Sequence, residues 1–211
     1  DAWTNVYVRD TVLGTTVRVQ GPDGEPLGDA HSVDISDDGR YVVYASNAGN
    51  IVPGVGSGTI QVYVRDLATD TTTLASRSAA GAAANSQSDL GAISPNGRFV
   101  SFRSFATNLA GGPFASRVYV HDRVTLATSS VPLPVLNAVT ATGCRENDVA
   151  DNGVVVLTCF FGSGLFDQVY LHIPGAAGTP FLISSDINDV AGNQVSGTRV
   201  AIDASGLSMI F

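Results

Sequence analysis

The sequence predicts an all-β protein, a β-propeller of four-stranded antiparallel blades. Two recurring elements and their spacing carry that expectation. The first reads NVYVRD at residues 5–10, QVYVRD at 61–66, RVYVHD at 117–122 and QVYLHI at 168–173, so that Tyr7, Tyr63, Tyr119 and Tyr170 hold equivalent places. The second lies between these copies and reads SVDISDDGRYVVY at 32–44, LGAISPNGRFVSF at 90–102, NDVADNGVVVLT at 147–158 and VAIDASGLSMIF at 200–211. Alternating apolar and polar positions are strand chemistry. A repeat of about 50 residues belongs to solenoids, propellers and arrays.

In chain order, each copy of the second element is strand, turn, strand. Gly39, Gly97, Gly153 and Gly206 sit in the turns, where Asp-Gly, Asn-Gly and Ser-Gly signal hairpins and glycine supplies the positive φ. The tyrosine stretch supplies a third strand. Asp10, Asp66 and Asp122 open the next turn, and TTVRV, TTTLAS and ATSSVPL supply a fourth. We call these strands a, b, c and d. Sheets of this kind bury both faces against radial neighbours. The chain thus opens with a c–d half-blade (1–20), continues with blades near 30–77, 88–132 and 145–185, and ends on an a–b half-blade (197–211). All of 1–211 reads as one domain with four repeats. Pairing the two half-blades would close a four-bladed ring and remove its open edges. The alternative is one part of a larger propeller of about six to eight blades.

Composition narrows the function. The chain has 211 residues, is 44% apolar and 14% charged, carries a net charge of −8, and all eleven of its basic residues other than histidine are arginine. An acidic, lysine-free surface repels nucleic acid and anionic membranes. No apolar run approaches the ~20 residues of a membrane span, so no membrane insertion is expected. The N-terminus has no basic region followed by an apolar core, so no signal peptide is read there. Cys144 and Cys159 flank the turn at 150–153. A two-residue turn would set them opposite each other, and a three-residue turn would put them one position out of register. A disulfide is the expectation, which implies an oxidising compartment.

The strand–turn–strand element resembles the TolB-like, WD-type propeller repeats of bacterial exported proteins. The residues that carry the resemblance are Ile-Ser-x-Asp/Asn-Gly-Arg-Tyr/Phe-Val-x-Tyr/Phe (Ile35 to Tyr44, Ile93 to Phe102), the following loop, and the Val-Tyr-Val-Arg-Asp stretch. The third full repeat departs from it, with Val154 for the arginine and Thr158 for the aromatic, and the last has Leu207 for the arginine. The resemblance implies a propeller in an extracellular, cell-surface or periplasmic protein. It implies little about function, because such propellers serve as binding scaffolds, adhesin modules and appendages of enzymes.

No chemistry-bearing motif stands out. There is no G-x-S-x-G elbow, no HExxH and no phosphate loop. The Arg-Asp dipeptides read as turn-forming, not catalytic. His31, His121 and His172 fall on different repeats, and the loop VPGVGSGTIQ lacks the carboxylates a calcium site needs, so neither a metal nor another cofactor is expected. The a–b and c–d turns are tight, whereas the long connections 45–60, 77–89, 103–116, 133–146, 160–167 and 184–197 all leave on the other face. Long loops on a rigid scaffold carry binding residues. The candidates are His31, Asn85, Asp89, Arg145 and Asn193 around the channel mouth, with Phe105, Asn108, Phe114, Phe161 and Phe166 further out. Phe105 and Phe161 also suit packing over the blades. The expectation is a non-enzymatic exported scaffold that binds a protein or glycan through this face. The alternatives are a structural module of a larger surface assembly and a propeller fragment gating an enzyme domain.

Overall fold

Strands form where the repeats place them. The structure, a computed structural model, describes residues 4–19, 28–49, 51–109, 116–162, 167–176, 178–185 and 199–211. Three four-stranded antiparallel sheets succeed one another along the chain. The first comprises β3 (His31–Ile35), β4 (Tyr41–Ser46), β5 (Gln61–Asp66) and β6 (Thr71–Leu74). The second comprises β7 (Ser88–Ile93), β8 (Phe99–Ser104), β9 (Arg117–Asp122) and β10 (Thr128–Ser130). The third comprises β13 (Gly143–Val149), β14 (Val155–Phe160), β15 (Gln168–His172) and β16 (Phe181–Leu182). Before them lies the hairpin β1 (Tyr7–Asp10) and β2 (Thr15–Arg18), and after them the hairpin β17 (Ala201–Ile202) and β18 (Met209–Ile210). A small hairpin, β11 (Val135–Leu136) and β12 (Val139–Thr140), occupies part of the loop at 133–146 and turns through Asn137 and Ala138, both at positive φ. No helix occurs among the described residues.

The core lies between sheets. Val43, Ala45, Val62 and Val64 of the first blade pack on Ile93, Val100, Phe102 and Tyr119 of the second. Val118 and Val120 of the second pack on Val149, Val155, Leu157 and Tyr170 of the third. Val6, just before β1, and Val8 within it cover Val42, Tyr44 and Tyr63, and Ile202 and Met209 cover Val154, Val156 and Val169. Of the recurring tyrosines, Tyr63, Tyr119 and Tyr170 are among the largest fully buried side chains, whereas Tyr7 is exposed. Tyr63 lies against Tyr44 and Tyr119 against Phe102, each pair with ring centroids 5.7 Å apart. The inner strands β3, β7 and β13 are successive neighbours, and β17 packs on β13. Two of them are joined to the next blade by carboxylates: Asp34 accepts from Ile93 N at 2.9 Å, and Asp148 from Ile202 N at 3.0 Å.

The ladder that would close the ring is not formed among the described residues. β1 pairs with β2 and β17 with β18, each as a separate two-stranded sheet.

The tight-turn face is held by charge. Asp66 accepts two bonds from Arg40, at 2.9 and 2.7 Å, while capping Ala68 N and Thr69 N. Asp122 repeats the pattern with Arg98, Val124 N and Thr125 N. These arginines hold both carboxyls well below the usual carboxylate range. Arg65 pairs with Asp70 and not with its neighbour Asp66, so the Arg-Asp dipeptide serves two separate turn contacts.

Gly39 and Gly97 show how the turns meet. Both hold positive φ, +70° and +73°. Nothing lies within 4 Å of a Cβ built on Gly39, whereas one on Gly97 would fall 2.3 Å from Cδ2 of Tyr41, a ring also covered by Arg123 at 4.0 Å. Gly39→Ala therefore costs about 1 kcal/mol, the price of a left-handed residue alone. Gly97→Ala adds displacement of the Tyr41 ring and costs about 3 kcal/mol. Urea denaturation of the two variants checks this; equal losses would mean that Gly97 does not seat the first blade's aromatic.

Burial also sets an acid response. His121 on β9 is buried, with Nδ1 3.0 Å from Thr128 Oγ1. Desolvation, then Arg77 and Arg123 against a small opposing pull from Asp122, brings its pKa down to about 4 from 6.5. The unfolded imidazole takes its proton near pH 6.5 and the folded one only near 4, so the unfolded state binds more protons between these values. Stability falls as pH drops through that window, by on the order of 3 kcal/mol. Asp66 and Asp122, with depressed folded pKa values, act lower: their contribution is present above the unfolded carboxylate pKa of about 4 and is lost as pH falls below it. His172, also shifted down by burial, adds to the upper limb. Replacing His121 by Gln should flatten the stability-versus-pH curve between pH 6.5 and 4 by about one proton and leave the limb below pH 4 unchanged, measured by urea titration at each pH.

Candidate functional site

The long-loop face is organised by a recurring bulge on the inner strands. Pairing shifts by one residue between His31 and Asp34 in β3, between Asp89 and Ala92 in β7, and between Cys144 and Asn147 in β13. An extra residue bends the strand and re-aims its side chains. Ser32 and Leu90 take up the bulge at positive φ, 51° and 50°. His31, Asp89 and Cys144 therefore hold equivalent places on three successive inner strands, at the end from which the long loops leave.

At the third blade the bulge completes a disulfide. Below it the ladder runs Val149↔Val155 and Asn147↔Leu157, a register that would leave the two cysteines out of step. The extra residue at Arg145–Glu146 restores Cys144 opposite Cys159, and the two are bonded. Neither simple turn length accounts for the pairing. The bond spans 15 residues and stabilises by about 3 kcal/mol through the unfolded chain. Ser116 clamps the same strand: its carbonyl accepts from Cys144 N at 2.8 Å and its hydroxyl donates to Cys144 O at 2.7 Å.

The five candidate residues have different environments. His31 is exposed, its ring nitrogen Nδ1 3.4 Å from Asp29 O. Asn85 is exposed and ties two loops together: its Nδ2 donates to Thr107 Oγ1 at 2.8 Å, its Oδ1 accepts from Thr107 N at 2.8 Å, and its N donates to Asn108 Oδ1 at 2.9 Å. Arg145 stands exposed in the bulge, paired with Asp167 and lying 5.5 Å over the Phe160 ring. Asp89 is only 5% exposed, and both its oxygens are engaged, by Arg103 at 2.7 Å each and by Gln87 Nε2 at 2.7 Å. Its carboxylate is turned into the blade and is not presented on the face. Asn193 lies outside the described residues, as do Phe114 and Phe166. Phe105 is exposed beside Arg103, whereas Phe161 is buried against Tyr170.

Sequence reasoning missed Arg103, Asp167 and Thr107. Arg103 and Asp89 face each other directly across β7 and β8, a partnership readable only once the bulge is known. Chemically, the exposed groups offer one guanidinium over an aromatic ring, an imidazole and an amide: hydrogen-bonding and cation–π chemistry. Among the described residues no three His, Cys, Asp or Glu side chains gather.

The two arginines should separate in a thermal melt. Arg103→Ala leaves the Asp89 carboxylate buried and unpaired and costs about 3 kcal/mol or more. Arg145→Ala loses an exposed pair and costs under about 1 kcal/mol. Comparable losses at the two positions would contradict the difference in burial.

No family model matches the chain, and no curated protein matches it. Solved structures do resemble it. The tricorn protease aligns over 82% of this chain and 16% of its own, with 14% identity and a TM-score of 0.54. A putative TolB from Agrobacterium tumefaciens aligns over 84% of this chain and 59% of its own, with 14% identity and a TM-score of 0.48. The hydrazine synthase of Kuenenia stuttgartiensis aligns over 97% and 54%, with 16% identity and a TM-score of 0.49. The chain thus spans less than two thirds of each of these structures. At 14% identity the likeness to the tricorn protease concerns the fold alone; the protein is all-β, built of successive four-stranded antiparallel sheets.

Proposed function

We propose that this chain is a non-enzymatic, exported propeller scaffold that binds a protein or glycan through its long-loop face. The observation that carries this reading is the contrast between the two faces. On the tight-turn face Arg40 and Arg98 are engaged by Asp66 and Asp122. On the long-loop face the bulged strands β3 and β13 hold His31 and Arg145 at exposed positions, and Asn85 and Phe105 are exposed on loops. Rings and a guanidinium held on rigid strands give contact area at little entropic cost. The Cys144–Cys159 bond supports an oxidising compartment. A second reading, a structural module of a larger assembly, is favoured by the two half-blades, each a separate hairpin.

The chain should be tested against glycan and peptide arrays, and Arg145→Ala then tested on any hit. Loss of at least tenfold in affinity with an unchanged melting temperature is the expected result. A partner footprint on the turns at Asp38, Asn96 and Asn152, with the long loops left free, would overturn the assignment.

A further inference from the structure

Arg123 stands on the tight-turn face with no carboxylate partner among the described residues. It follows Asp122 in the c–d turn of the second blade, where its amide donates to Arg98 O at 3.0 Å. Leu67 takes the same place in the first blade, with its amide donating to Arg40 O at 2.9 Å, and Pro174 takes it in the third. Across the seam Arg123 lies 4.0 Å over the ring of Tyr41, beside the turn at Gly97. In the next seam Pro174 and Phe99 meet at Gly153 in the same way. Leu67 packs on an apolar cluster, and Pro174 brings no donor. Covering a ring at this place therefore needs no charge, and the guanidinium adds donors that the covering role leaves unused.

Those donors line a cleft. Tyr41, Asn96, Gly97, Arg98, Arg123 and Val124 enclose about 220 Å³ between the first two blades. Asn96 Oδ1 accepts from Arg98 N and from Ser94 Oγ, each at 2.9 Å. A backbone amide can only donate, so the atom it meets is the oxygen, and Nδ2 is the free end of the side chain. Arg98 directs Nε and Nη2 to Asp122, and Arg123 directs Nη1 to Gly97 O. Among the described residues none accepts from Asn96 Nδ2, from Arg98 Nη1, or from the Nε and Nη2 edge of Arg123. The carboxylates close by are engaged: Asp122 by Arg98, and Asp151 by Asn96 N at 2.7 Å. Val124, 72% exposed, and the Tyr41 ring give the cleft an apolar wall.

We propose that this cleft binds a carboxylate carried on a short apolar body. The Nε and Nη2 edge of a guanidinium takes both oxygens of a carboxylate at once, and Asn96 Nδ2 adds a third bond. The volume lies below the ~300 Å³ at which pockets for drug-sized ligands begin. That limits the occupant to a small acid or to the last residue of a chain with a free carboxyl terminus. The site lies on the face opposite the long loops, and it stands or falls apart from the reading of that face.

Sodium butyrate titrated into the ¹⁵N-labelled chain should shift the amides of Asn96, Gly97, Arg98 and Val124 saturably, with half-saturation on the order of 1 mM. Asn96→Asp keeps both turn bonds, since Asp38 accepts the same pair from Ser36 Oγ and Arg40 N in the first blade, and exchanges the free donor for an oxygen. Arg123→Leu installs the residue type that the first blade carries. Each variant should weaken butyrate at least tenfold with an unchanged circular dichroism spectrum; if Arg123→Leu does not fold, Asn96→Asp carries the test. A short peptide ending in valine that binds more tightly than butyrate, and loses binding when its carboxyl is amidated, would assign the site to chain termini. Equal affinity would assign it to small acids. Shifts that rise without saturating, butyrate binding that survives Asn96→Asp, or sodium phosphate binding as tightly as butyrate would each overturn the proposal.

Discussion

Each of the three four-stranded sheets has two apolar faces, and no sheet can bury both by itself. That constraint organises the rest. The four clusters of buried residues are all seams between adjacent sheets. A blade therefore gains its stability from its neighbours, as in other repeat architectures. Tyr63, Tyr119 and Tyr170 answer the same demand, because a ring on the c strand fills a seam at full depth. So do the carboxylates of Asp34 and Asp148, which reach out of their own sheets to a backbone amide of the next.

Within that frame the two ends of the blades do different work. The tight turns are closed by ion pairs that also cap backbone amides, so the arginines there face inward to their partners. The other end is opened by the bulges. An extra residue on each inner strand breaks the plain ladder near the end of the strand and turns the adjoining side chains in a new direction. Blade and bulge together leave His31 and Arg145 exposed at the ends of their strands, yet the same device buries Asp89.

Much of the fold was legible in the sequence because its signals are local. Tyr-Val-Arg-Asp and the glycine turns recur at short, regular spacing, and the turn glycines hold the positive φ that such turns require. The site was less legible, for reasons that concern partners remote in sequence. The bulge falls on Ser32 and Leu90, neither of which signals the positive φ that each adopts. The hairpin at 135–140 turns on Asn-Ala, which lacks the glycine that usually marks such a turn. Asp89 reads as a free carboxylate until Arg103, on the facing strand, is seen to hold it. Phe105 and Phe161 occupy similar loop positions, and only packing separates the exposed ring from the buried one.

The disulfide lies inside one hairpin and joins no two blades. Its mechanical consequence is local. If the protein is pulled from its ends, each seam can part in turn and each blade can run out to its full length, except for the 15-residue segment between Cys144 and Cys159. That segment withholds about 50 Å of extension at roughly 3.5 Å per residue. The third blade would come apart around a loop that stays tied, whereas its neighbours would unravel completely. Under load the chain has one hairpin that keeps its register after the seams on both sides have opened.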